Sequence, residues 1–140
     1  MSNYRNQQAV KILVVDDEPS SRFLISTLLS LYDFSVIQAA DGKEALNAVQ
    51  SQAIDLILLD IMMPEMDGFT VCKHLKSDRS TRSIPVIFIS ALVDEESRMK
   101  ANLVGGEGYI NKPFIADELI QMLSAQPTML RVQQPASVLQ

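Results

Sequence analysis

Five short apolar runs, separated by stretches with helical spacing, constrain this chain more than any other feature. The runs are residues 11–16 (KILVVD), 34–39 (FSVIQA), 55–60 (DLILLD), 84–90 (IPVIFIS) and 107–111 (EGYIN). The first, third and fourth are nearly unbroken Ile, Leu and Val. Such runs suit strands covered on both faces, as parallel strands are. The second alternates more and suits an edge. Pro85 stands at the start of the fourth, where a missing N–H is tolerated. Helices are expected between the runs. Residues 20–31 place Phe23, Leu24, Leu28 and Leu31 on one stripe. Asp41 caps a helix carrying Ala45, Leu46, Ala48 and Val49, with Glu44 closing a capping box. Residues 68–77 carry Phe69, Val71, Cys72 and Leu75, residues 94–104 carry Met99, Leu103 and Val104, and residues 115–123 carry Leu119, Ile120 and Leu123. Strand and helix alternating five times predict an α/β fold. This is a (βα)5 doubly wound, five-stranded parallel sheet with helices on both faces.

Composition narrows the function. With 140 residues, the chain has the length of one domain. Residues 10–124 are expected to form it, with 1–9 a flexible flank and 125–140 a flexible tail or linker. The chain has no apolar run long enough to span a membrane and no apolar N-terminal core of a secretory signal, so a cytoplasmic protein is expected. One cysteine, Cys72, and one histidine, His74, give neither a disulfide nor a zinc site. A hydrolytic triad would have to run through His74, with no local motif for it. The 12 Lys and Arg are scattered among 17 Asp and Glu, net −5, so direct nucleic-acid binding by this chain is not expected.

Chemistry is expected at the carboxyl ends of the strands, where open parallel sheets bind ligands. Run one ends in Asp16-Asp17-Glu18, run three in Asp60 and run four in Ser90. Run five is followed by Lys112-Pro113. If the central strands are one, three and four, three carboxylates, a hydroxyl and an ammonium converge on one rim. At an effective dielectric near 20, like charges about 4 Å apart cost about 4 kcal/mol, so such a cluster should bind protons or a cation. Oxygen-only ligands on an open rim suit Mg²⁺. The methionines Met62, Met63 and Met66 favour soft Cu(I) and do not fit beside hard carboxylates. Asp67-Gly68 reads as a turn or cap before the third helix.

Together the segments KILVVDDEP, LILLDIMMPEMDG, IPVIFISA and GYINKPF resemble the receiver domain of two-component response regulators, over about residues 10–124. The resemblance implies a flavodoxin-like strand order 2-1-3-4-5 and assigns roles. Asp60 would be the phosphoacceptor. Asp17, Asp16, Asp60 and the backbone carbonyl of Met62 would hold Mg²⁺, for which Mn²⁺ could substitute. Lys112 and Ser90 would bind the phosphoryl group, with Ser90 the switch hydroxyl and Tyr109 the switch aromatic. Pro113, Asp67 and Gly68 would be structural, and the bond before Pro113 cis. The implied partners are a sensor histidine kinase or a histidine phosphotransfer domain. A homodimer through the face of the fourth helix, fifth strand and fifth helix, and an effector domain C-terminal to this chain, are further expectations. The domain would be no enzyme beyond its own phosphoryl transfer and slow autodephosphorylation. Met62 and Leu92, both apolar, flank the path of the hydrolytic water in the family picture, which predicts slow dephosphorylation. The glycines of Gly105-Gly106-Glu107-Gly108 are expected to loosen the joint before the fifth strand.

Three rivals are weighed beside this reading. An FMN-binding flavodoxin shares the topology but needs a Ser/Thr/Gly-rich loop after the first strand, where Asp16-Asp17-Glu18-Pro19 would repel phosphate. A phosphatase of the haloacid dehalogenase type resembles Asp-x-Asp-x-Thr at that strand, and here the acids are adjacent. An interaction-only pseudo-receiver would lack key positions, and all five are filled.

Overall fold

The computed structural model describes residues 9–127, so most of the two expected flanks lies outside the described residues. Five strands, β1 (Lys11–Val15), β2 (Ser35–Ala39), β3 (Leu56–Asp60), β4 (Val86–Ser90) and β5 (Gly108–Asn111), form one parallel sheet in the order β2-β1-β3-β4-β5. Between them run α1 (Pro19–Leu31), α2 (Gly42–Ser51), α3 (Gly68–Ser77) and α4 (Glu95–Leu103), and α5 (Ala116–Ser124) follows β5. This is the flavodoxin-like (βα)5 arrangement. The strands begin or end within two residues of the apolar runs, and β2 is at an edge, paired only with β1.

Alternation along each strand divides the core into two layers. Ile12, Val14, Leu56, Leu58, Ile87 and Ile89 pack against Ile25 and Leu29 of α1 and Leu119 and Leu123 of α5. Leu13, Val15, Ile57, Leu59, Val86 and Phe88 pack against α2, α3 and α4. Every residue of β3 and β4 is buried, which is why those runs carry no polar alternation.

Two helix faces differ from the expectation. On α1 the inward residues are Ile25, Ser26 and Leu29, with Leu28 half-buried, while Phe23, Leu24 and Leu31 are exposed. Apolar residues run most of the way round this helix, so periodicity alone picks no face. On α4 only Ala101 is buried, and Met99 and Leu103 are exposed. Among the described residues no helix is long and apolar enough to cross a membrane.

The helix starts follow their caps. Asp41, Asp67 and Asp94 accept from the N–H groups of Glu44, Thr70 and Ser97. Glu44 Oε1 reaches back to the Ala40 N–H at 2.8 Å, one residue before the expected cap N–H. The glycine-rich joint before β5 is pinned rather than loose. Glu107 accepts from the Val86 N–H at 2.8 Å and from Lys76 Nζ at 3.1 Å, and Lys76 also donates to the carbonyls of Arg82 and Ile84. Gly105 is needed there for its φ of 102°, and a Cβ at Gly106 would sit 2.6 Å from the Phe88 ring.

Candidate functional site

The sheet register brings the expected residues to one rim. Val15 pairs with Leu59, so Asp16, one residue on, lies level with Asp60. Ser90 ends the next strand and pairs with Asn111, and the Lys112 N–H donates to the Ser90 carbonyl at 2.8 Å. Carboxylate oxygens of Asp16, Asp17 and Asp60 all lie within 4.8 Å of one another. Asp16 and Asp60 are buried, at 1% and 8% exposure, and Asp17 is exposed. Lys112 Nζ bridges the two buried acids, 2.9 Å from Asp16 Oδ2 and 3.3 Å from Asp60 Oδ2. The Lys112–Pro113 peptide bond is cis.

Each acid is held differently. Asp16 accepts from the Ser21 hydroxyl at 2.7 Å and the Glu18 N–H at 3.0 Å. Burial pushes its carboxyl up, but these two bonds and the Lys112 ammonium outweigh burial and hold it below the ordinary carboxylate value. Asp60 has one backbone donor, the Met62 N–H at 3.2 Å on Oδ1. Burial and the Asp16 charge outweigh Lys112 and leave Asp60 above its ordinary value. Lys112 is pushed down by burial and up, to a greater extent, by its two acids. Ser21 was not singled out from the sequence. Its only signal is a hydroxyl in the first turn of the helix that follows the acids. Arg22, also missed, donates to the Asp16 carbonyl at 2.7 Å.

The loop after β3 is shaped by Gly68. A Cβ there would stand 2.4 Å from the Asp60 carbonyl oxygen and 2.8 Å from Ile61 Cα, so the turn closes onto β3 only with glycine. Asp67 caps α3, and the Gly68 N–H donates to the Ile61 carbonyl. Met62 is exposed at 57% and lines an open cleft of about 510 Å³ with Met63, Phe69 and Leu92. His74 is exposed on α3 and has no place in the acid cluster.

Beyond Ser90 lies a polar network. The Leu92 N–H donates to Ser90 Oγ at 3.2 Å. The Leu92 carbonyl accepts from the Tyr109 hydroxyl at 2.9 Å and from Asn111 Nδ2 at 2.7 Å. Burial raises the Tyr109 phenol above its ordinary value, against the opposing effects of Ser90 and Arg98.

The cluster fits a divalent cation. Three ionised carboxylates and one ammonium leave two negative charges, and the donors are all oxygen on an open rim. The residues that would hold it are Asp16, Asp17 and Asp60.

Comparison with known proteins agrees with this geometry. The response regulator receiver domain pattern matches residues 12–124. The chain is 40% identical over 116 residues to the DNA-binding dual master transcriptional regulator RpaA of Synechocystis, covering 82% of this chain and 48% of that protein. It is 43% identical over 109 residues to a probable transcriptional regulator, ycf27, of Cyanophora paradoxa, covering 78% and 44%. The chain thus spans just under half the length of these curated relatives. Among solved structures, the chemotaxis protein CheY4 of Vibrio cholerae superposes with a TM-score of 0.79 at 32% identity, over 83% of this chain and 97% of that one. The receiver domain of a sensor histidine kinase of Pseudomonas aeruginosa has a TM-score of 0.77 at 28% identity, over 83% and 95%. That structure has magnesium coordinated in its active-site cleft.

Proposed function

The chain belongs to the response regulator receiver domain family of two-component systems, and from that premise we propose that Asp60 accepts a phosphoryl group from a phosphohistidine. The donor is a sensor histidine kinase or a histidine phosphotransfer domain. The observation that carries this reading is the meeting of Asp16, Asp17 and Asp60 within 4.8 Å, beside Lys112.

Asp60 attacks phosphorus in line. The new bond is P–O, the P–N bond breaks, and its electron pair returns to the imidazole. Lys112, already 3.3 Å from Asp60, is placed to neutralise the phosphoryl oxygens. The fixed Asp16, held by Ser21 and Glu18, keeps Lys112 aimed at the rim. Asp16, Asp17, Asp60 and the Met62 carbonyl would hold Mg²⁺ or Mn²⁺, which would supply charge stabilisation for the phosphoryl transfer. Ser90 turns its hydroxyl toward the phosphoryl group, and Tyr109 follows, changing the face of α4, β5 and α5. A shift from 1:99 to 99:1 needs about 5.5 kcal/mol of differential interaction, which new contacts to Lys112, Ser90 and the cation are of a size to provide.

The role is signalling in the cytoplasm, with partner contact or homodimerisation through the switched face as output. The relatives named as transcriptional regulators extend well beyond the matched part. The acidic chain described here is therefore read as the input side, with any DNA contact made by an effector region joined to it. Family membership leaves the flavodoxin and phosphatase readings without support.

The test uses acetyl phosphate or phosphoramidate with Mg²⁺ and intact-mass measurement. The expected result is a gain of one phosphoryl group that is lost in Asp60→Asn and on chelation of the metal. No gain in the wild-type protein would overturn the reading in favour of the interaction-only pseudo-receiver.

A further inference from the structure

The main chain of one residue, Leu92, joins the two proposed switch residues. Its N–H is on Ser90 Oγ, and its carbonyl carries both Tyr109 Oη and Asn111 Nδ2. Neither of those bonds reaches α4. The connection to the helix is Arg98. Its guanidinium donates to Asn111 Oδ1 and lies over the Tyr109 ring, 4.7 Å from the centroid. The planar group thus engages two side chains of β5 at once, by an edge and by a face, which suits guanidinium and not ammonium.

Apart from Lys100, whose ammonium lies 4.8 Å over the Phe69 ring of α3 and ties α4 to that helix rather than to β5, the rest of α4 is weakly held. Ala101 is its one buried residue, and Met99 and Leu103 face outward. A helix with so little buried surface is positioned by its polar ties more than by packing. Arg98 is exposed, and nothing in the chemistry at Asp60 requires it.

We infer that Arg98 is the positioning residue that couples α4 to Ser90, through Asn111, Tyr109 and the Leu92 main chain. The inference rests on the switch roles of Ser90 and Tyr109 proposed above. When the Ser90 hydroxyl moves, the Leu92 peptide moves with it, and the Tyr109 and Asn111 side chains bonded to its carbonyl follow. Arg98 carries that displacement to the helix. Without the guanidinium, the loop and the ring still respond and α4 does not.

The test is hydrogen exchange of the α4 amides, 95–103, with and without beryllofluoride and Mg²⁺ as the acyl-phosphate mimic. Wild type, Arg98→Ala, Arg98→Lys and Asn111→Leu are compared, with Asp60→Asn as the blank. The wild-type protein should change its α4 exchange on adding beryllofluoride. In Arg98→Ala, beryllofluoride should still bind, because Arg98 touches none of Asp16, Asp17, Asp60, Ser90 or Lys112. The Tyr109 ring signal should still shift, and the α4 change should be lost. Asn111→Leu should lose it too. Arg98→Lys, which keeps the charge over the ring without the fork, should retain less than half of it. An α4 response in Arg98→Ala and Asn111→Leu equal to wild type would overturn the coupling role alone, as would a wild type that binds beryllofluoride with no change at α4. A wild type no different from Asp60→Asn would instead overturn the receiver reading on which the inference rests.

Discussion

Replacing Gly68 with alanine sets two effects of known sign against each other. Alanine favours a helix over glycine by about 0.8–1.0 kcal/mol in the interior, and by less at the first residue of α3. Against this, the added Cβ would lie 2.4 Å from the Asp60 carbonyl oxygen and 2.8 Å from Ile61 Cα. Both are backbone atoms of a buried strand end that no rotamer change can move. The closer contact is about 1 Å inside the ordinary range, and overpacking of this kind costs about 1–3 kcal/mol. Overlap wins, and Gly68→Ala is expected to lose about 1–2 kcal/mol. For a chain of this size that lowers Tm by about 3–4 °C per kcal/mol. The strain falls on Asp60, the proposed phosphoacceptor and one of the three acids that would hold Mg²⁺, so Mg²⁺ affinity should fall as well. Urea unfolding and a Mg²⁺ titration measure the two. Gly108→Ala is the control, because its Cβ would press only on the flexible thioether of Met122, at 2.8 Å, with Ile87 Cγ1 at an ordinary 3.4 Å, at the end of β5 away from the site. A Gly68→Ala protein as stable as wild type, with unchanged Mg²⁺ affinity, would refute the reasoning.

Two other outcomes follow from named groups. Cys72 is fully buried, and burial pushes its thiol from 9.0 up to about 11. The unfolded chain therefore releases this proton first, and stability should fall as pH rises from 9.0 to about 11, by roughly 3 kcal/mol in all. Lys112, raised above 10.5, adds a loss only beyond that value, so the wild-type slope minus that of Cys72→Ala isolates the thiol. Parallel profiles for the two proteins would contradict this. The aspartyl phosphate should hydrolyse slowly, because the Met62 and Leu92 side chains, which line one cleft together with Asp67 and Lys100, offer no polar group of their own to orient water. Met62→Asn should speed its loss by roughly tenfold, the effect of one hydrogen bond of about 1.4 kcal/mol. A wild-type half-life of seconds at neutral pH would count against this.

The legible part of the molecule was the part fixed by burial on two faces. β1, β3 and β4 read as nearly unbroken apolar runs because every residue in them except Lys11, at the start of β1, is buried, and their order put the acids, Ser90 and Lys112 at one end. The faces of α1 and α4 were not legible. On α1, Phe23, Leu24, Ile25, Leu28, Leu29 and Leu31 cover so much of the helix that several registers look equally amphipathic. On α4 the inward residue is the small Ala101, which carries less hydrophobic signal than the exposed Met99 and Leu103. Glycine near β5 read as looseness, whereas Lys76 and Glu107 pin the segment through side chains distant in sequence. The tie from Ser90 to Arg98 was hidden for a different reason. Its centre is the Leu92 main chain, and backbone N–H and carbonyl groups leave no mark on residue identity.

The account turns on which oxygen takes the phosphoryl group. Phosphorylated protein can be reduced with borohydride, which converts an aspartyl phosphate to homoserine, and the modified peptide then sequenced by mass spectrometry. Conversion at position 60 alone is the predicted result. Label on Asp16, Asp17 or His74, with Asp60 intact, would contradict it.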